Sequence, residues 1–347
     1  MDTIVKPIEL FLEGYHPVTQ AFFGGLFTWI VTAMGAGLVF FFKGTSRKLL
    51  DTTLGFAGGV MIAASFWSLL SPSISYVEDQ NNLKATQIAA LADFKGISEI
   101  EAQELIVKND NKTEQDQALI RFEETYCTDK EKEEKLERVF NNKDISMTPN
   151  WQPPAIGFLL GALFLFYLDK KIPHLHLFSK KEEAEGVSKE KLKEWKKTIL
   201  LVFAIALHNI PEGLAVGVAF AAASAGIPGF ETGEAIALAI GMGLQNAPEG
   251  FAVSMPLRRQ GVSKFKSWQW GQLSAIVEPI FAVIGAAIVM AILPILPYAL
   301  AFAAGAMIFI VVEEVIPSSQ KAGHTDIATM GLIGGFIVMM ILDVALG

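Results

Sequence analysis

Thr198–Ala223 reads TILLVFAIALHNIPEGLAVGVAFAAA. It is apolar almost throughout and, at 26 residues, long enough to cross a hydrocarbon core as a helix. Yet its middle holds His208, Asn209, Pro211 and Glu212. Ionisable groups inside such a run are costly and are usually retained for a task. His208 and Glu212 are four residues apart, so a helix places them on one face about one turn apart. Pro211 removes a backbone donor and frees a carbonyl in the preceding turn, which predicts a kink. Gly213 allows a second helix to approach closely.

Outward from this stretch the chain repeats the pattern. Of its 347 residues 52% are hydrophobic and 18% charged, and mean hydropathy is +0.40. A soluble chain of this size has about a quarter of its residues charged. The apolar residues stand in blocks, with no long period-two alternation of the kind a β-barrel needs. Backbone polar groups in lipid must be satisfied within the segment, which leaves helices. The fold expected is an all-α polytopic membrane protein. Eight transmembrane helices are expected, at about 18–42, 54–71, 154–168, 198–223, 235–255, 268–293, 298–316 and 327–345. Together they form a single transport domain over 1–347.

The connecting loops set the orientation. Lys43, Arg47 and Lys48 follow the first span, a Lys-rich loop at 169–197 follows the third, and Arg258, Arg259, Lys264 and Lys266 follow the fifth. The alternate loops carry no base at 224–234 and no charge at Pro294–Pro297. The positive-inside rule puts the basic loops in the cytoplasm and both termini outside. The third span is short, but without it the 169–197 loop would fall on the wrong side. Residues 73–150 are polar and acidic, and are read as a solvated extracytoplasmic insertion with helical stretches at Ser98–Val107 and Lys130–Phe140. Short loops and the lack of a targeting sequence at Met1–Pro17 fit a bacterial inner membrane. A net charge of −8 gives no nucleic-acid surface. The single cysteine, Cys127, excludes an intrachain disulfide and a thiolate cluster.

The fifth span repeats the fourth. Gln245, Asn246, Pro248, Glu249 and Gly250 stand where the fourth has His208, Asn209, Pro211, Glu212 and Gly213. The 37-residue separation is one helix plus a connector. Two such helices side by side would gather His208, Glu212, Gln245 and Glu249 around one cavity, with Asn209 and Asn246 about 100° further round. The sixth span adds Glu278, followed by Pro279. One imidazole with several carboxylate and amide oxygens suits a borderline divalent ion: zinc first, then iron(II), manganese, cobalt and cadmium. Without thiolates the site would hold its ion loosely enough to release it.

At these residues the chain resembles the ZIP (Zrt/Irt-like) family of metal transporters. His208-Asn209-Ile210-Pro211-Glu212-Gly213 is similar to the fourth-helix signature, and Gln245-Asn246-Ala247-Pro248-Glu249-Gly250 to the GufA-like branch. The resemblance implies a main metal site from His208, Glu212, Gln245 and Glu249. It implies a second site from Asn209, Asn246 and Glu278, bridged by Glu212 and Glu249. Related members often have Asp at the position of Asn246. It also implies elevator-type movement of helices one, four, five and six past two, three, seven and eight, net transport into the cytoplasm, and a homodimer. Bound Zn2+, or Cd2+ in its place, is expected, with no other cofactor.

Further positions are expected along the pathway. Glu313 and Glu314 near the cytoplasmic end of the seventh span form a candidate exit, and Asp343 in the eighth a candidate uptake ligand. Met61, Ser65 and Ser68 make a stripe on the second span, and His174 and His176 an HxH pair in the cytoplasmic loop. Two other functions compete. An intramembrane metal hydrolase would need a pairing such as His-Glu-x-x-His, and no span contains two histidines. A cation–proton transporter would favour an all-oxygen site, which His208 opposes. The chain is therefore read as a transporter and not an enzyme.

Overall fold

The computed structural model describes residues 2–12, 14–41, 46–95, 98, 149–171, 197–225, 231–259 and 261–346. Among them all regular structure is helical. The HxH pair His174 and His176, most of the 73–150 insertion with both of its expected helices, and Cys127 lie outside these residues. Two compact units are formed. Within Ile74–Pro153 the described part is mostly one helix running to Lys95, and Asn81 donates to Asn150 Oδ1 at 2.6 Å. All that follows concerns the other unit, Met1–Ser73 with Pro154–Gly347.

Its helices are α1 (Asp2–Leu12), α2 (Pro17–Gly37), α3 (Arg47–Ala64), α4 (Ser71–Lys95, only its start), α5 (Gln152–Lys171), α6 (Lys197–Ser224), α7 (Thr232–Arg259), α8 (Lys264–Leu273), α9 (Val277–Ala291), α10 (Leu296–Ile310), α11 (Ile316–Gln320) and α12 (Thr325–Leu346). Six stretches among the described residues are long and apolar enough to span a bilayer: Pro17–Phe40, Arg47–Asn82, Gln152–Lys171, Lys264–Ala291, Leu293–Gln320 and Thr325–Ala345. The protein is therefore an all-helical polytopic membrane protein. The two motif helices, α6 and α7, are each 28 residues long.

The structure departs from the sequence reading in instructive places. The third span, short by hydropathy, is a 20-residue helix, because Gln152-Pro153-Pro154 starts it early and Asp169-Lys170-Lys171 extends it beyond the apolar block. The sixth is not continuous: it breaks at Ser274–Ile276 between α8 and α9. Two spans carry wide π turns, Ser65–Leu70 between α3 and α4 and Val311–Val315 between α10 and α11. Such turns insert a residue into the helical register and recur at functional sites. The first π turn begins at Ser65, whose hydroxyl donates to Met61 O, and the second contains Glu313 and Glu314. Pro211, expected to mark a kink, does not end the helix, which runs from Lys197 to Ser224. An additional helix, α1, precedes the first span and is tied to it by Gln20 Nε2, which donates to Leu12 O and Tyr15 O.

The ends of the helices sort as the loop charges require. At one end Arg47 donates to Asp51 and to Ser318 O, and His324 meets the other Asp51 oxygen. Lys264 Nζ donates to Phe40 O. The starts of the second, sixth and eighth spans thus meet the ends of the first and seventh. At the opposite end Ser73 donates to Pro297 O, and Ser68 to Asp343.

Lipid offers little hydrophobic drive between helices, so close packing of small residues takes its place. Glycines permit backbone contact here in a pattern that divides the helices into two sets. In α3 and α12, a Cβ on Gly59 would overlap Leu332 O, and one on Gly335 would overlap Phe56 O. Gly161 and Gly305 do the same between α5 and α10. In the other set Gly35 and Gly250 join α2 to α7, while Gly213 and Gly217 join α6 to α9. Among the described residues a single glycine, Gly241 of α7, is closely approached across the two sets, and by the flexible side chain of Met339 and not by backbone.

Overpacking such a contact costs about 1–3 kcal/mol. Gly335→Val should therefore lower the thermal stability of detergent-purified protein by that order, as read from its unfolding midpoint. Gly334→Val, at a position with open space around its Cβ, should change it far less.

Candidate metal site

The two motifs and the sixth span do meet. His208, Asn209, Glu212, Gln245, Asn246, Glu249 and Glu278 are all buried, with Asn209, Gln245, Asn246 and Glu278 wholly so. The glycine one residue past Glu212 explains how. Gly213 has no side chain, so Glu278 of α9 packs directly against its Cα, and a Cβ there would overlap the Glu278 backbone. Glu212, Glu249 and Glu278 lie close enough to repel one another.

Pro279 aims Glu278 through a shift in hydrogen-bond register. In an α-helix Ala275 O would accept from the N–H of residue 279, which proline lacks. Glu278 N donates to Ala275 O instead, at 3.0 Å. That leaves Ser274 O without its own i+4 donor. Asn209 Nδ2, from α6, supplies one at 3.0 Å. Held by its nitrogen, Asn209 keeps its oxygen, Oδ1, for the cavity, where no protein group bonds it. Asn246 behaves similarly: Nδ2 donates to Glu278 Oε2 at 2.8 Å, and its Oδ1 accepts from Gln245 Nε2. Gln245 is thus left with a free oxygen.

Six buried oxygens in this cluster find no protein donor: Asn209 Oδ1, both of Glu212, Gln245 Oε1, one of Glu249 (Oε2) and one of Glu278 (Oε1). Buried polar groups in native proteins are nearly always paired, and a buried carboxylate without compensation costs several kcal/mol. Six such oxygens lie in this cluster, and among the described residues no Lys or Arg donates to them. Among the described residues no three His, Cys, Asp or Glu side chains gather around one point in ligand geometry. Glu212, Glu249 and Glu278 are thus buried within range of one another without being drawn, with His208, into ligand geometry, and the amide oxygens of Asn209 and Gln245 lie unpartnered in the same cluster.

The structure relates the remaining expected residues to this cluster in different ways. His208 opens on a crevice it shares with Glu313, Glu314 and Asp169. Glu314 is buried and accepts from Ser318, while Glu313 is exposed. Ser68 donates to Asp343 Oδ1 at 2.6 Å, and Asp343 Oδ2 has no donor. The π turn holding Ser68 packs against α6, α7 and α12. Met61 is fully buried on α3, and no hydrogen bond joins its side chain to the cluster.

Three contributors were missed. Asp169 sat one residue beyond the expected end of the third span; a carboxylate just before Lys170-Lys171 was the available signal. Thr28 and Thr32 of α2 lie buried beside the Glu278 carboxylate, with their hydroxyls donating to Gly25 O and Thr28 O. Two threonines one turn apart inside the first apolar block were visible and were passed over.

A polytopic helical membrane protein with an oxygen-rich receptor for a cation, buried between broken and glycine-packed helices, is the architecture of an ion transporter. Comparison with known sequences is specific. The profile described as ZIP Zinc transporter matches residues 19–343. The chain is 40% identical to Zinc transporter ZIP11 of Xenopus tropicalis, over 97% of this chain and 100% of that one. It is 39% identical to Zinc transporter ZIP11 of Homo sapiens, again over 97% and 100%. It is 43% identical to Zinc transporter GufA of Myxococcus xanthus over 56% of this chain and 71% of that one. The chain belongs to the ZIP zinc transporter family, whose members are named as transporters and not as enzymes.

Pro279→Ala restores the missing N–H and lets the normal register return. Glu278 N would then be free for Ser274 O, displacing Asn209. The variant should be about as heat-stable as the parent, since Pro279 stands in the first turn of α9, where proline is tolerated. Zinc binding, read by calorimetry in detergent, should nevertheless weaken by about fivefold, the equivalent of one neutral hydrogen bond of about 1 kcal/mol.

Proposed function

We propose that this chain carries zinc across the membrane into the cytoplasm through the buried cluster of His208, Asn209, Glu212, Gln245, Asn246, Glu249 and Glu278. The observation that carries the reading is the set of six buried oxygens without protein donors. Glu212 has both of its oxygens in that set, and Glu249 is its counterpart in the repeated motif, so these two bridge the metal. His208 supplies the nitrogen that favours zinc over hard ions. Cadmium, similar in charge and softer, would substitute in binding experiments. The zinc transporter names of the relatives, vertebrate and bacterial, support zinc as cargo. They name no particular membrane, so the bacterial inner membrane rests on the sequence features alone.

Alternating access by an elevator is our reading of the motion. The glycine-backed contacts support it. They tie α2, α6, α7 and α9 to each other, and tie α3 to α12 and α5 to α10, with only Gly241 against Met339 between the two sets. Interlocked backbones resist sliding, whereas a flexible thioether on a smooth glycine does not. With α6 and α7 crossing as well, the spans number eight. The crevice of His208, Asp169, Glu313 and Glu314 would receive the ion at the end where the basic loops meet, and the Ser68–Asp343 pair would face it at the other. We assign a homodimer as the assembled form.

Proteoliposomes loaded with a zinc-sensitive dye test this directly. The parent should take up zinc, and His208→Ala should lower the rate by about tenfold or more, since one lost ligand is worth at least 1.4 kcal/mol. Zinc uptake unchanged in His208→Ala would refute the assignment, and cleavage of a membrane substrate without uptake would favour a hydrolase.

A further inference from the structure

The register shift in the sixth span begins before the cluster, and a residue outside the cluster holds it. Ile276 N bonds to Leu273 O at 3.3 Å, in place of the i+4 partner Gln272 O. Gln272 O is left with short-range bonds from its own helix, among them Ala275 N at 3.3 Å. The indole of Trp29, from α2, fills the place of the lost donor: Trp29 Nε1 donates to Gln272 O at 2.9 Å. Two residues on, Asn209 does the same for Ser274 O. Leu273 and Ile276 around this point are exposed on the outside of the protein. No water would replace a lost donor there, so the bond is worth more than a surface one.

We infer that Trp29 is a positioning residue for the metal site: its indole N–H fixes the break at Ser274–Ile276, and with it the placement of Glu278. The inference rests on the zinc-transport reading of the cluster. Trp29 touches none of the seven cluster residues by hydrogen bond and acts through the sixth span alone. A second indole gives an internal control. Trp268 Nε1 donates in the opposite direction, to Ala33 O of α2, at 3.0 Å. It ties the same two spans together, but from α8, before the break. If indole bonds merely glue spans one and six, the two tryptophans are equivalent. If the bond to the break sets Glu278, they are not.

The test is zinc uptake into dye-loaded proteoliposomes as a function of zinc concentration. Trp29→Phe keeps an aromatic ring and removes the donor. It should raise the half-saturating zinc concentration several-fold while leaving the maximal rate per folded protein within about twofold. Trp268→Phe should lower the unfolding temperature without moving half-saturation. In a Glu278→Gln background Trp29→Phe should have little further effect, because coupled residues are not additive. Equal effects of the two tryptophan variants on half-saturation, or additivity with Glu278→Gln, would overturn the inference. Should Trp29→Phe fold poorly, β-(3-benzothienyl)alanine at position 29 preserves the indole shape without its N–H, and the same outcomes apply. A parent protein that takes up no zinc would instead refute the function on which the inference rests.

Discussion

A carboxylate removed from water must be met by a positive charge or by donors, and the centre of this protein withholds both. Glu212, Glu249 and Glu278 are buried together within range of mutual repulsion. Asn209 Nδ2 donates to Ser274 O and Gln245 Nε2 to Asn246, which leaves the amide oxygens Asn209 Oδ1 and Gln245 Oε1 without donors. Asn246 Nδ2 donates to one oxygen of Glu278 and, at longer range, to Thr28 O. Such an arrangement is unfavourable as a core and sensible as a receptor, because a divalent ion satisfies several of these oxygens at once. The absence of thiolate from the cluster keeps that stabilisation moderate, as a carrier requires.

The helices are shaped around this demand. Pro279 denies Ala275 O its partner, the register slips, and a backbone carbonyl becomes available to orient Asn209. Glycines at 213 and 217 let α9 lie against α6 closely enough for Glu278 to reach the motifs. The same small-residue packing joins α3 to α12 and α5 to α10. The cluster and the packing around it thus draw on one property of the sequence, the placement of residues that have little or no side chain.

Much of this was legible before any coordinates. Apolar blocks gave the class of fold, and His208 and Gln245, the Asn and Glu of the duplicated Asn-x-Pro-Glu-Gly motifs, and Glu278 stood out as polar groups in those blocks, where the structure buries them. Helix ends far apart in sequence meet, Arg47 with Ser318 O and Asp51 with His324 in one place, and Ser68 with Asp343 and Ser73 with Pro297 O in others. What stayed hidden depends on partners far away in sequence. Pro279 was seen, but its break falls three to five residues earlier, where donors from Trp29 and Asn209 stabilise it. The π turns at Ser65–Leu70 and Val311–Val315 have no sequence signature, since any residue can occupy them. Asp169 was set aside with the loop because the span was ended at its last apolar residue, and polar helix ends do not follow hydropathy.

X-ray absorption at the zinc edge, on purified protein loaded with one equivalent of zinc, addresses the central claim most directly. The account predicts a first shell of oxygen and nitrogen only, at about 2.0–2.2 Å, with outer scattering from one imidazole. It also predicts that Glu212→Gln/Glu249→Gln protein fails to retain the metal. An unchanged spectrum and full zinc content in that double variant, or a sulfur-dominated shell at about 2.3 Å in the parent, would contradict it.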